Sequence, residues 1–238
     1  MINIFIKKSI IHIDCFTYKD YVYQYNPIKE ASKFMPEWIT KMQSEYKANG
    51  FVPTSTMKKC PAIIDYLTTG FTIPLWSDLV INTSSIDNSF KWQFADEKTD
   101  SICHSAMQWS SFTNPTENSH MKIISPWHIK TKDDVKFLWS NPFYNNKIQL
   151  SYHLAPAIID FKDQHASHIN MFIDVNKNTD IKIDAGTPLV HVLPMSDKQV
   201  KIKTHLIDKK EYDKQEKPVI YFINNYKKIR NDNKKNGD

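Results

Sequence analysis

The sequence predicts a mainly β protein: a two-sheet β-sandwich or jelly-roll-like fold with an N-terminal helical insertion and a C-terminal amphipathic helix. Three observations predict it. Short alternating or continuous apolar runs recur along most of the chain, as half-buried and buried strands require. Ile181 to Met195, IKIDAGTPLVHVLPM, turns at Gly186 into the apolar run Leu189 to Leu193, which Pro194 closes. That run has the character of a strand buried on both faces. Helical spacing is strongest in one terminal stretch, where Val219, Phe222, Ile223, Tyr226 and Ile229 follow Pro218.

The elements follow in order. Ile2, Ile4 and Ile6 alternate as a strand, and Tyr21, Tyr23 and Tyr25 share a parity that predicts a second one. Asn26-Pro27 reads as a helix start, Pro36 as a restart, and Trp38, Ile39, Met42 and Tyr46 as the buried stripe of a helix that Gly50 ends. The helical segment is therefore expected at about residues 27–48. Pro61 opens a short helix that Gly70 breaks, and Phe71, Ile73 and Leu75 enter a strand in which Pro74 marks an edge or a bulge. Leu79 to Ile81, Phe90 to Phe94, Met121 to Ile124, Phe137 to Trp139, Ile148 to Tyr152, Ile169 to Val175 and Val200 to Ile207 supply further strands. These boundaries predict a single β-rich domain over 1–217, a helix over 218–231 packed on it and a disordered basic tail over 232–238.

Composition excludes several classes of function. Lys and Arg together number 31, and Arg230 is the sole arginine; Gly50, Gly70, Gly186 and Gly237 are the four glycines. Arginine forks and glycine-rich loops are the usual cradles for phosphate, so P-loop, Rossmann and kinase readings are set aside and no nucleotide cofactor is expected. The net charge of +5 gathers at the C-terminus, from Lys227 to Lys235. A solvated tail is the plain reading, and non-specific contact with nucleic acid is the sharper one. Cys15, Cys60 and Cys103 are odd in number and form no C-x-x-C pair, which predicts buried thiols in a reducing compartment. No apolar run is long enough to span a membrane. The N-terminal apolar residues lack a basic n-region and are interrupted by Lys7-Lys8. The expectation is a cytoplasmic protein without a membrane partner.

Histidine supplies the first candidate site. His12-Ile13-Asp14 matches the H-x-D pattern of iron oxygenases, but those enzymes also use a distal His and a downstream basic residue. The one arginine, Arg230, has no histidine near it, so the match is incomplete and a structural strand-end histidine is the plainer reading. The densest set of ligands is Asp163, His165 and His168, which in a loop would converge on a divalent metal. The competing reading is a polar loop between strands. His191, alone in an apolar strand, is expected to be a hydrogen-bonded core residue. Cys60 and Cys103 lack a placed base, and no G-x-S-x-G occurs. Aromatic residues provide the last candidate: Trp76 and Trp127, with His128 and Asp160, would form a stacking wall for a small ligand. Trp127 and His128 follow Pro126 in what reads as a rigid exposed turn; core packing is the alternative.

The order and spacing of several motifs resemble an uncharacterised family of phages and bacteria. These are Met35-Pro-Glu-Trp38, Lys59-Cys-Pro61, Ile73-Pro-Leu-Trp76, Ser125-Pro-Trp127, Asn141-Pro142, Ile159-Asp160 and Gly186-Thr-Pro-Leu189. The resemblance spans residues 30–197 and implies a β-rich viral accessory protein, with no activity to carry over. The Gly186 turn-and-strand is also similar to one in trimeric nucleotide hydrolases of the deoxyuridine triphosphatase kind, whose further Gly and Arg motifs are absent here.

The function expected from these readings is a non-catalytic β-sandwich that binds a partner protein or a small ligand, with a second copy of the chain as a further candidate partner. A metal-dependent His/Asp enzyme and a structural virion component are the alternatives.

Overall fold

A computed structural model describes residues 10–48, 52–97, 99–145, 152–162 and 166–220. The protein is mainly β, built from several sheets in which all but one of the described strand pairings are antiparallel. A three-stranded sheet has the order β10 (His128–Lys130), β1 (Ile10–Thr17), β17 (Gln199–Leu206). A five-stranded sheet runs β13 (Ala157–Ile159), β11 (Phe137–Ser140), β16 (Pro188–Pro194), β5 (Phe71–Pro74), β2 (Lys29–Glu30). A four-stranded sheet runs β12 (Tyr152–Leu154), β14 (Ile169–Asp174), β9 (Asn118–Ile123), β8 (Ser101–Cys103). The remaining strands form a three-stranded sheet, β15 (Asp180–Ile183), β6 (Leu79–Ser84), β7 (Ser89–Phe94), and a hairpin of β3 (Glu45–Ala48) and β4 (Val52–Ser55).

Alternation decides which side chains go inside. In β1, Ile11, Ile13, Cys15 and Thr17 are buried while Ile10 and His12 face out. The same period of two buries Ile169, Met171 and Ile173 in β14 and Leu79, Ile81 and Thr83 in β6. The apolar members of these rows join Trp76, Trp127, Trp139, Phe137 and Phe161 in one cluster. Each fully buried side chain of this kind contributes about 1.5–3 kcal/mol relative to exposure. β16 is central in its sheet, with Leu189 to Val192 all buried, as the two-faced apolar run predicts. Pro74 lies opposite Pro188, beside a register shift between Pro188 and Val190, so it marks a bulge.

Sequence and structure differ at three places. Tyr18 to Tyr25 is not a strand: Asp20–Tyr25 forms helix α1, which buries Val22 and leaves Tyr25 exposed. Eight residues are too few for parity to separate a strand from two helical turns, and Asp20 in the first turn suits the helix dipole. The expected helix over 27–48 is shorter. Helix α2 covers Glu37–Lys41, and the chain then enters β3. Met42 is extended, and Lys58 Nζ donates to the carbonyls of Thr40 and Met42 at 2.9 Å, taking up two acceptors at the helix end. Helix α3 (Pro61–Thr68) starts on Pro61. Helix α4 (Lys209–Ile220) begins well before Pro218. Asp208 caps it, accepting from the backbone N–H of Glu211 at 2.9 Å. Asp208-Lys-Lys-Glu211 is the sequence signature of such a cap. The rest of the expected helix to residue 231 and the 232–238 tail lie outside the described residues, as do Ile2 to Ile6 and Gly50. None of the described helices is long and apolar enough to cross a membrane.

Candidate functional site

Two clusters outside the core combine charge, enclosure and titratable groups. The first lies on the outward face of the three-stranded sheet. β1 and β17 run parallel, so His12 is level with Lys201 and Asp14 with Lys203. Both residues of each pair face away from the core, by the alternation that buries Ile11 and Ile13. Lys132 and Asp133, just beyond β10, close one side of a cleft of about 630 Å³. Its two carboxylates are engaged. Asp14 Oδ1 lies 2.6 Å from His205 Nε2, and Asp133 Oδ2 accepts from the backbone N–H of His12 at 3.1 Å. Lys132, Lys201 and Lys203 form no ion pair with any described residue. At the far end of the same face Phe16 stacks on His205, with centroids 4.7 Å apart and planes at 13°, and Lys130 Nζ stands 5.3 Å from the Phe16 ring centre. A second cleft of about 490 Å³ beside Gly70 presents Glu30, Asp65 and Asp197 against Lys198.

The second cluster lies on the four-stranded sheet. β8 and β9 bring His104 beside His120, with ring centroids 4.6 Å apart. Phe172, opposite His120 in β14, packs on it at 4.7 Å. Trp109 and Phe112 both pack on Phe172. Burial, reinforced by the charges of His104 and Lys122, pushes the His120 imidazole down to about 4. Burial and then Lys122 lower His104. His168 is lowered to about 4 by burial, with Lys122 again adding to it.

The structure moves the expected site residues. Trp76 and Trp127 are core side chains, 1 % and 0 % exposed, so the expected exposed turn with a stacking wall does not exist. Trp76 Nε1 donates to Thr99 Oγ1 at 3.3 Å, and the Trp127 indole N–H is buried with no described partner. An indole surrounded by prolines and small polar residues looks like a loop tip in sequence, but its large apolar area favours burial. His128 is also buried, stacked on Tyr212 of α4 at 3.9 Å and 14°. Asp160 caps its own turn, accepting from the Lys162 N–H at 3.0 Å. Asp163 and His165 lie outside the described residues, while His168 is half-buried and its Nδ1 has no hydrogen-bond partner among the described residues. Among the described residues no group of three or more His, Cys, Asp or Glu side chains could hold a metal ion. The described cysteines are unpaired; Cys15 is buried as expected, but Cys60 is intermediate and Cys103 exposed. Burial raises the thiol pKa of both Cys15 and Cys103, the opposite of an activated nucleophile.

Sequence reasoning singled out His12 and Asp14 of the first cluster but none of its lysines, and it missed the second cluster. His12 and Lys201, or His104 and His120, become neighbours only through strand pairing, and the register of β8 on β9 carries no local signal. In comparison with known proteins, the chain matches no family model and no curated protein.

Proposed function

We propose that the chain is a non-catalytic β-sandwich that binds a small phosphate-type anion in the lysine cleft of its three-stranded sheet. The carrying observation is the imbalance inside that cleft: its carboxylates have partners and its three lysines have none among the described residues. Like charges gathered around one cleft oppose folding unless a counter-ion joins them. Lysine binds phosphate as a point charge, which suits a chain almost devoid of arginine. The cleft volume falls within the range usual for small-ligand sites. The two-layer reading is supported by strands of separate sheets that each bury one alternating face in a common cluster.

Titration calorimetry with inorganic pyrophosphate at low and high salt tests the proposal. Wild-type protein binds, affinity falls with salt, and Lys201→Glu with Lys203→Glu weakens binding at least tenfold. Absence of binding at millimolar pyrophosphate, or equal binding by the double variant, overturns it.

A further inference from the structure

The His104–His120 pair has a geometry that core packing alone does not require. β8 and β9 are in register through Ser101 opposite Ile123, Ile102 opposite Lys122 and Cys103 opposite Met121. The ladder runs one residue further, since the His104 N–H donates to the His120 carbonyl at 3.1 Å. The two histidines are therefore directly opposite cross-strand neighbours with their side chains on one face. Their rings are tilted by 58° with centroids 4.6 Å apart. Two imidazoles sharing one ion, each bonded at about 2 Å, place their centroids about 5 Å apart.

The state of the nitrogens matches. His120 is 7 % exposed and its Nδ1 is buried without a hydrogen-bond partner among the described residues. An imidazole nitrogen without a hydrogen-bond partner is a donor atom available to a metal ion. Lys122 is the charge that opposes a cation here, and it faces both rings. Cys103 precedes His104 on the strand, and its side chain falls on the other face.

We propose that His104 and His120 form an open, two-imidazole site for a late first-row divalent cation such as Cu²⁺, Ni²⁺ or Zn²⁺, with water in the remaining positions. It differs from a closed structural zinc site, which takes four protein ligands. Imidazole donors and the stability order of these ions make Cu²⁺ the strongest probe.

The test uses the full chain titrated with CuCl₂ and with NiCl₂ at pH 7.5, followed by calorimetry and copper electron paramagnetic resonance. Other histidines and the terminal amine take up metal weakly, so the reading is the difference between proteins. Wild-type protein binds one tight equivalent with two imidazole nitrogens on copper. His104→Ala loses that equivalent or weakens it at least tenfold and leaves one nitrogen. His120→Asn does the same if it folds, and half-buried His104 keeps the test decisive if it does not. A His104→Ala isotherm and spectrum unchanged from wild type overturn the proposal, as does a wild-type chain with no site tighter than millimolar.

Discussion

His191 Nε2 lies 2.8 Å from the carbonyl oxygen of Thr69, tying the central strand β16 to the end of helix α3. A carbonyl only accepts, so the neutral ring carries its proton on Nε2. Tyr66 packs edge-on against the same ring at 4.7 Å and donates its hydroxyl to the Asn141 carbonyl at 3.0 Å. His191 is a brace within the core, as its lone place in an apolar strand suggests. His191→Leu removes the donor and leaves the part-buried Thr69 carbonyl without it, and an expected loss of about 1–3 kcal/mol follows. Urea denaturation reads it; a midpoint equal to wild type would show that the bond contributes nothing.

Gly70 and Gly186 both have positive φ, +78° and +84°, but their surroundings separate them. A Cβ on Gly70 would sit 2.0 Å from the Val192 carbonyl oxygen, part of the β16 backbone, which cannot yield cheaply. On Gly186 it would meet only the Asn26 side-chain oxygen at 3.3 Å. Gly186→Ala is expected to cost about 1–3 kcal/mol from backbone strain. Gly70→Ala is expected to cost more than about 4 kcal/mol or to prevent folding. Thermal melts of the pair check the ranking, and equal melting temperatures contradict it.

Asp96 gathers the side chains beneath Trp76. Its carboxylate lies 2.8 Å from Lys19 Nζ and accepts from Thr99 Oγ1 at 3.2 Å and from the Tyr21 hydroxyl. Burial first, then Asp96, raises the Tyr21 pKa. Lys19 is 8 % exposed, so Asp96→Ala takes the carboxylate away from a buried ammonium and is expected to destabilise by about 3–5 kcal/mol. Replacing both charges, by Lys19→Met with Asp96→Leu, is expected to cost less than the single change. A double variant weaker than Asp96→Ala would refute this account.

Acid should loosen the four-stranded sheet first. His104, His120 and His168 are all held below the ordinary imidazole value, His120 and His168 down to about 4. The unfolded chain binds these protons near pH 6.5 and the folded chain does not. Their contribution to stability is therefore complete above about pH 6.5 and is lost as pH falls toward 4. Urea midpoints taken between pH 7.5 and 4.5 should decline through that window, and less steeply in His120→Asn. A flat profile would mean that these rings take up protons without opening the sheet.

Parts of this architecture are legible in the sequence because their causes are local. The turn at Gly186 and the two-faced burial of Leu189 to Val192 follow from positive φ and an unbroken apolar run. Val200, Ile202 and Thr204 turn inward because a strand has a period of two. Short aromatic segments were less legible. Tyr21 to Tyr25 carries a parity that a helix and a strand share, and only the packing of Val22 selected the helix.

The amino-acid sequence by itself determined the β-rich class, the Gly186 turn, the buried strand after it and the shortage of arginine that rules out the common phosphate-binding motifs. Tertiary structure alone decided which polar residues meet. It carried Trp76 and Trp127 into the core, set Lys201 and Lys203 level with His12 and Asp14, and stood His104 against His120. The physical reason is that apolar periodicity dictates which way a side chain faces, whereas strand order and register, which choose its neighbours, depend on burying the whole set of faces at once.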